Sequence, residues 1–146
     1  MKQHNAKALW KGSLKEGSGE VETGRGHLKT GYSYASRFGD DTRATSPEEL
    51  IGAAHAGCFS MFLSMLLEKH GHKPKHIQSE AQVTLSKDDR GPFISKIELQ
   101  VEAAVEEIEE TDFQKHVQEA KANCPISRAL ASIPEITVTA TLSGNE

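Results

Sequence analysis

Residues Ser46 to Leu67 are the segment that most restricts what this 146-residue chain can fold into. Ser46 suits a helix N-cap and Pro47 the first helical position. Glu48 and Glu49 complement the positive end of the helix dipole, and Glu49 completes a Ser-x-x-Glu capping box. From Leu50 to Leu67 the chain is apolar around nearly the whole helical circumference, interrupted by His55, Ser60 and Ser64, and Gly71 is placed to end it. A helix of this kind needs cover on almost every side. A single sheet of five or six strands covers one side. A second copy of the helix, packed across a two-fold axis through Gly52, Ala53, Ala54, Ala56 and Gly57, is expected to cover the other. The alternative is cover by a later helix of the same chain, over residues 111–122.

The remaining segments read as strands and shorter helices. Residues 6–12 and the stretch around Glu20–Thr23 predict short strands between glycines. Over 31–38 the pattern predicts a strand with Tyr32, Tyr34 and Ser36 on one face and Arg37 on the other, followed by a turn at Gly39–Thr42. Clean alternation over 77–85 and 93–101, with a turn at Asp88–Pro92 between, predicts an antiparallel pair. An acidic loop at 106–110 leads into an amphipathic helix over 111–122 with Phe113, Val117 and Ala120 inward. Pro125 opens a short helix to Leu130, and 136–142 is a last strand. The expected class is α+β, in a single domain over 1–146.

Composition narrows function. A formal charge of −4 argues against nucleic acid as a partner. No unbroken run of about 18 apolar residues suggests a membrane span, and the N-terminal residues do not read as a signal peptide. A cytoplasmic location is the expectation. In that reducing compartment a cysteine pair is more often catalytic, redox-sensing or metal-binding than structural. The two cysteines, Cys58 and Cys124, stand 66 residues apart with no CxxC, and the seven histidines form no HxxxH pair, so neither metal nor cofactor is expected.

Cys58 lies eleven residues past Pro47, about 16 Å along the helix, beyond the reach of its own helix dipole. Burial raises a thiol pKa, so an active Cys58 needs a cation from elsewhere. Arg37, Arg25, Arg43 and Arg128 are all candidates on pattern. Cys124 precedes Pro125 in an N-cap-like position facing unpaired N–H groups, which makes it the better nucleophile on helix electrostatics alone. His55 stands one turn before Cys58. The two could form a Cys–His pair of a thiol hydrolase, or His55 could be a core histidine with one hydrogen-bond partner. Glu48 alone reads as a surface residue serving the dipole.

The segments Ser-Pro-Glu-Glu-Leu-Ile-Gly-Ala-Ala-His-Ala-Gly-Cys-Phe-Ser-Met and Ala-Asn-Cys-Pro-Ile-Ser-Arg-Ala-Leu resemble the OsmC/Ohr family of bacterial thiol peroxidases, in its OsmC branch. The resemblance runs from about Lys7 to Leu142. It implies an intertwined α+β homodimer, with antiparallel sheets wrapped around long central helices, that reduces organic hydroperoxides in preference to hydrogen peroxide. It implies Cys58 as the peroxidatic cysteine and Cys124 as the resolving one, joined in a disulfide during turnover. Arg37 is implied as the activating arginine and Glu48 as the carboxylate that holds it, which reverses the electrostatic ranking of the thiols. An external dithiol, of which a lipoyl-type dithiol is one, is the implied reductant. Phe59, Met61, Phe62 and Ile126 are candidates for an apolar substrate pocket. About 15 Å of ideal helix separates Glu48 from Cys58, so Glu48 is expected to serve the Cys58 of a partner subunit. A non-enzymatic thiol redox sensor is the alternative function.

Overall fold

The computed structural model describes residues 1–143, in the order β1 (Ala6–Lys11), β2 (Ser18–Thr23), β3 (Lys29–Tyr32), α1 (Tyr34–Phe38), α2 (Pro47–Lys69), β4 (Pro74–Asp88), β5 (Gly91–Val105), α3 (Glu110–Asn123), α4 (Pro125–Ala129) and β6 (Glu135–Ser143). The backbone divides into two compact units, Met1–Leu50 and Ile51–Glu146. Strands form two three-stranded sheets, β1-β2-β3 and β4-β5-β6, where the sequence suggested one sheet of five or six strands.

The first unit is an antiparallel meander. Trp10 and Tyr32 pack their rings 5.3 Å apart across it. The strand expected over 31–38 stops at Tyr32, and Tyr34–Phe38 is a turn of helix instead. Two local serine contacts override the alternating pattern. The Ser36 N–H donates to Ser33 Oγ (3.1 Å) and the Ser33 N–H to Ser36 Oγ (2.9 Å), a reciprocal cap. Ser36 Oγ also donates to the Thr45 carbonyl at 2.7 Å, tying the helix to the lead-in of α2. Among the described residues of this unit the one buried side chain is a charged one, Glu48, while Leu9, Leu14, Leu28 and Phe38 stay exposed.

The second unit holds the core. β4 and β5 form the expected hairpin, with β4 three residues longer at each end than expected and β5 two longer at its start and four longer at its end. The Arg90 N–H donates to Asp88 Oδ1 at 2.8 Å and Gly91 takes φ +114°, a left-handed value that favours glycine. β6 pairs with β5 in parallel, not antiparallel as the resemblance implied. A parallel neighbour needs a long crossover, and α3 and α4 provide it. Rows of apolar side chains follow from the register: Ile77 opposite Ala103, Ala81 opposite Leu99, Val83 opposite Ile97, and Val138 and Leu142 beside Leu99 and Ala103.

α2 and α3 close over this face. The expected helix ends are present: the Glu49 N–H donates to Ser46 Oγ at 3.0 Å, and Gly71 turns the chain at φ +87°. The capping box is only half made, because the Glu49 carboxylate accepts from Thr45 Oγ1 at 2.7 Å. Phe59, Leu63, Leu66 and Leu67 of α2 join Leu99, Val101 and Val105 of β5 and Phe113, Val117 and Ala120 of α3 in one cluster. Gly52 faces the sheet, where an added Cβ meets Val83 at 3.3 Å. Gly57 faces the other way, with nothing within 4 Å of an added Cβ. The open strip of α2 is therefore Ala53, Ala54, Gly57, Met61 and Met65, apolar and exposed, with Met61 at 79%. α3 contributes to the core but leaves that strip uncovered.

With a mean hydropathy of 1.7 over its most apolar 18 residues, α2 meets the length and composition of a membrane span, which its three polar interruptions obscure in the sequence. Its Phe59 face is nevertheless packed against protein. Leu63 is fully buried in the cluster. Leu63→Ala should lower the unfolding free energy by about 2–5 kcal/mol. Urea titration reads this directly, and a loss below about 1 kcal/mol contradicts the packing described.

Candidate active site

α3 ends and α4 begins at the same residue. The Cys124 N–H closes α3 on the Ala120 carbonyl at 3.0 Å, and the Cys124 sulfur caps α4, accepting from the Ser127 N–H at 3.4 Å. Pro125 stands at the first position of α4, as its fixed φ favours. Cys124 is fully buried, as is His55 of α2. Cys124 Sγ donates to Ser127 Oγ at 3.0 Å, and Ser127 Oγ lies 2.7 Å from His55 Nε2. The three side chains thus form a buried chain of two hydrogen bonds.

Cys58 is half-buried on α2, and its sulfur is within hydrogen-bond reach of Cys124 and of the Ile126 backbone N–H. Burial pushes the Cys58 thiol pKa up. The Ile126 N–H pulls it down, and the hydrogen bond and charge of Cys124 push it up again; the net direction is upward. The free N–H groups of the α4 start are therefore divided, Ser127 serving Cys124 and Ile126 serving Cys58. Among the described residues of this unit no cation contributes to the balance at Cys58, so the need for one stands. His55, the other candidate partner, is engaged by Ser127, and burial lowers its pKa. It is the core histidine of the two readings. Its Nδ1 has no hydrogen-bond partner among the described residues, so no acid orients it as a hydrolase needs.

The cation candidate lies in the first unit. Arg37 sits in α1, not on a strand face, and makes a two-pronged pair with Glu48. Its Nε donates to Oε1 and Oε2 at 2.9 and 3.2 Å, and its Nη2 donates to Oε1 at 2.7 Å. Glu48, expected at the surface on residue type alone, is 8% exposed. The Arg37 side chain keeps 38% of its surface exposed, so the guanidinium is fixed on one edge and open on the other. Beside it Trp10, Leu14, Tyr32, Tyr34 and Phe38 line an apolar pocket of about 250 Å³. The other arginines differ. Arg43 is bound to Asp41, whose carboxyl it holds down at about 2, and Arg25 and Arg128 are exposed.

Of the sequence-derived site residues, the structure brings Cys58 together with Cys124, and Arg37 together with Glu48. Cys58 stands ten positions after Glu48 along unbroken α2, about 15 Å of rise. The apolar candidates do not form one pocket: Phe59 is in the core, and Met61 is on the open strip. Sequence reasoning missed Ser127. Its position three residues after the cap at Cys124 is the available signal, since that is where a capping side chain finds its backbone donor. Among the described residues no group of three or more His, Cys, Asp or Glu side chains is placed to hold a metal ion.

A mixed α+β fold with two small sheets and a long apolar helix, and with two thiols facing each other, defines a cysteine-based redox protein. The OsmC-like protein family model matches residues 39–139. Peroxiredoxin OsmC of Escherichia coli is 46% identical over 132 residues, 90% of each chain. Organic hydroperoxide resistance protein-like 2 of Staphylococcus epidermidis is 28% identical over 70% of each. The crystal structure of an organic hydroperoxide resistance protein OsmC from Legionella pneumophila superposes with a TM-score of 0.74 at 21% identity, covering 97% of this chain and all of the other. The chain belongs to the OsmC-like family. It is a thiol-dependent peroxidase, an oxidoreductase of stress defence.

The buried histidines have a pH consequence. Burial depresses the pKa of His55, and burial with neighbouring His70 depresses that of His116, both from an ordinary 6.5. A folded pKa below the unfolded one means that the unfolded chain takes up the proton first. The stability these groups allow is full above about pH 7 and is lost as the pH falls below the unfolded value. The urea midpoint at pH 5 should therefore lie below that at pH 7.5, and His55→Gln should narrow the gap. A gap unchanged by His55→Gln contradicts a neutral, buried His55.

Proposed function

We propose that the whole chain forms one peroxidase domain that reduces organic hydroperoxides in preference to hydrogen peroxide. It works as a two-fold dimer in which Arg37 and Glu48 of one protomer complete the site at Cys58 of the other. The observation that carries this reading is the division of the site. The two thiols stand within hydrogen-bond reach of each other with no cation at Cys58 in their own unit, while a fixed guanidinium with one open edge stands on Glu48. The open apolar strip of α2 gives a second copy of α2 a surface to pack on. That packing also accounts for the membrane-like composition of α2, and our reading puts the protein at work in a reducing cytoplasm.

The chemistry runs in three steps. The Cys58 thiolate attacks one peroxide oxygen, forming an S–O bond as the O–O bond breaks, and the departing alkoxide takes a proton to leave as the alcohol. Arg37 stabilises both the thiolate and the negative charge growing on the leaving oxygen. The Cys124 sulfur then displaces hydroxide from the Cys58 sulfenic acid, giving the Cys58–Cys124 disulfide and water. A dithiol, such as a lipoyl-type one, reduces that disulfide by two exchange steps and is itself oxidised. The aromatic pocket beside Arg37 fits the alkyl part of an organic hydroperoxide better than it fits water-like hydrogen peroxide.

Cys58→Ser should lose all turnover, whereas Cys124→Ser should consume about one peroxide per chain and then stop as the sulfenic acid. Peroxide consumption by Cys58→Ser with dithiol and by Cys124→Ser without it, followed by mass analysis of both cysteines, reads both outcomes. Multiple turnovers in Cys58→Ser contradict the assignment, and stoichiometric oxidation without turnover in the unaltered protein favours a redox sensor.

A further inference from the structure

Cys124 has a problem of its own. It is fully buried, and its thiol proton must leave as the sulfur attacks Cys58, yet no water-facing surface is available to take it. What stands against it is Ser127 Oγ at 3.0 Å, and behind that His55 Nε2 at 2.7 Å, on a different helix. We propose that Ser127 and His55 form a proton relay for the resolving cysteine, and so carry the proton transfer of disulfide formation. The inference rests on the two-cysteine reading given above and assigns that step its base.

The hydrogen inventory sets the direction. A serine hydroxyl has one proton to give. With Cys124 Sγ–H donating to Ser127 Oγ, the Ser127 proton is left to donate to His55 Nε2, which makes Nε2 an acceptor and puts the imidazole hydrogen on Nδ1. That Nδ1 is buried and has no partner among the described residues. Nε2 is thus the nitrogen with a free lone pair, aimed at the Ser127 hydroxyl, which is the state a proton acceptor needs. Burial holds the imidazole neutral, and no carboxylate or cation among the described residues shifts it. The titratable groups beside it are Cys124, through Ser127, and Cys58, one turn along α2.

The step balances. The Cys124 proton passes to Ser127 Oγ as the Ser127 proton passes to His55 Nε2. The Cys124 Sγ–Cys58 Sγ bond forms and the S–O bond of the sulfenic acid breaks. Hydroxide departs and takes up one proton to leave as water, and the one gained by His55 equals the one consumed, so the imidazole ends neutral. Cys58 arrives oxidised, and no further oxidant is needed.

The test follows the two steps separately. The reduced protein is mixed with one equivalent of cumene hydroperoxide, quenched at intervals, and its sulfenic acid and disulfide are counted by mass. In Ser127→Ala and His55→Gln the ratio of the disulfide rate to the sulfenic acid rate should fall at least about tenfold at pH 7. In Ser127→Ala it should recover toward the wild-type ratio at pH 9, where hydroxide entering the space left by the lost hydroxyl takes the Cys124 proton. Ser127→Thr, which keeps the hydroxyl, should retain the ratio. In the unaltered protein the disulfide step should be slowed about twofold or more in deuterium oxide, a reading independent of any variant's folding. A wild-type ratio in Ser127→Ala at pH 7, a deficit equal at both pH values, or no isotope effect overturns the relay. Absence of a Cys58–Cys124 disulfide in the unaltered protein overturns instead the two-cysteine reading beneath it.

Discussion

α2 is apolar on two opposite faces, and the chain buries one of them. Gly52, His55, Phe59, Leu63, Leu66 and Leu67 are buried, and Ala53, Ala54, Gly57, Met61 and Met65 are exposed. An uncovered apolar stripe of this length is costly in water, and a second copy across a two-fold axis is the simplest cover. Cys58 lies between the two faces and is half-buried for that reason. The same placement removes it from its own helix dipole and exposes it to burial, so its thiol pKa moves up.

The proposed site therefore divides its tasks. The second unit holds the sulfur chemistry, with the N–H groups at the start of α4 shared between two thiols. The first unit holds the charge. Three hydrogen bonds to a buried carboxylate set the Arg37 guanidinium in place before any substrate arrives. A preset cation reorganises little as charge develops, which is where electrostatic catalysis gains most. A buried glutamate in a unit with no other buried side chain among those described is poorly explained by stability of that unit. In the proposed dimer it is explained by position, since Glu48 opens the helix whose exposed strip forms the contact.

Local signals in the sequence were legible and long-range ones were not. Ser46, Pro47 and Gly71 marked the ends of α2, and alternation marked β4, β5 and β6, because caps and strand periods are properties of neighbouring residues. The same locality misread residues 31–38, where Tyr32, Tyr34 and Ser36 alternate but the Ser33–Ser36 cap wins. The parallel pairing of β6 with β5 left no mark, since either orientation buries Val138 and Leu142. The division of function proposed for Cys58 and Cys124 came from motif resemblance. Helix electrostatics alone favoured Cys124, and the Ile126 N–H at Cys58 shows that the same helix start serves both sulfurs. The tie between Ser127 and His55 was invisible because the two lie 72 residues apart.

The central claim is that each Cys58 depends on an arginine from the other protomer, and subunit mixing tests it most directly. Arg37→Ala and Cys58→Ser are prepared separately, each expected to be nearly inactive, then unfolded, mixed in equal amounts and refolded together. Half of the dimers are then mixed, and each mixed dimer carries one complete site, so about one quarter of the wild-type peroxidase activity should return. Activity no higher than that of the two variants alone, in a mixture shown to contain mixed dimers, contradicts the claim.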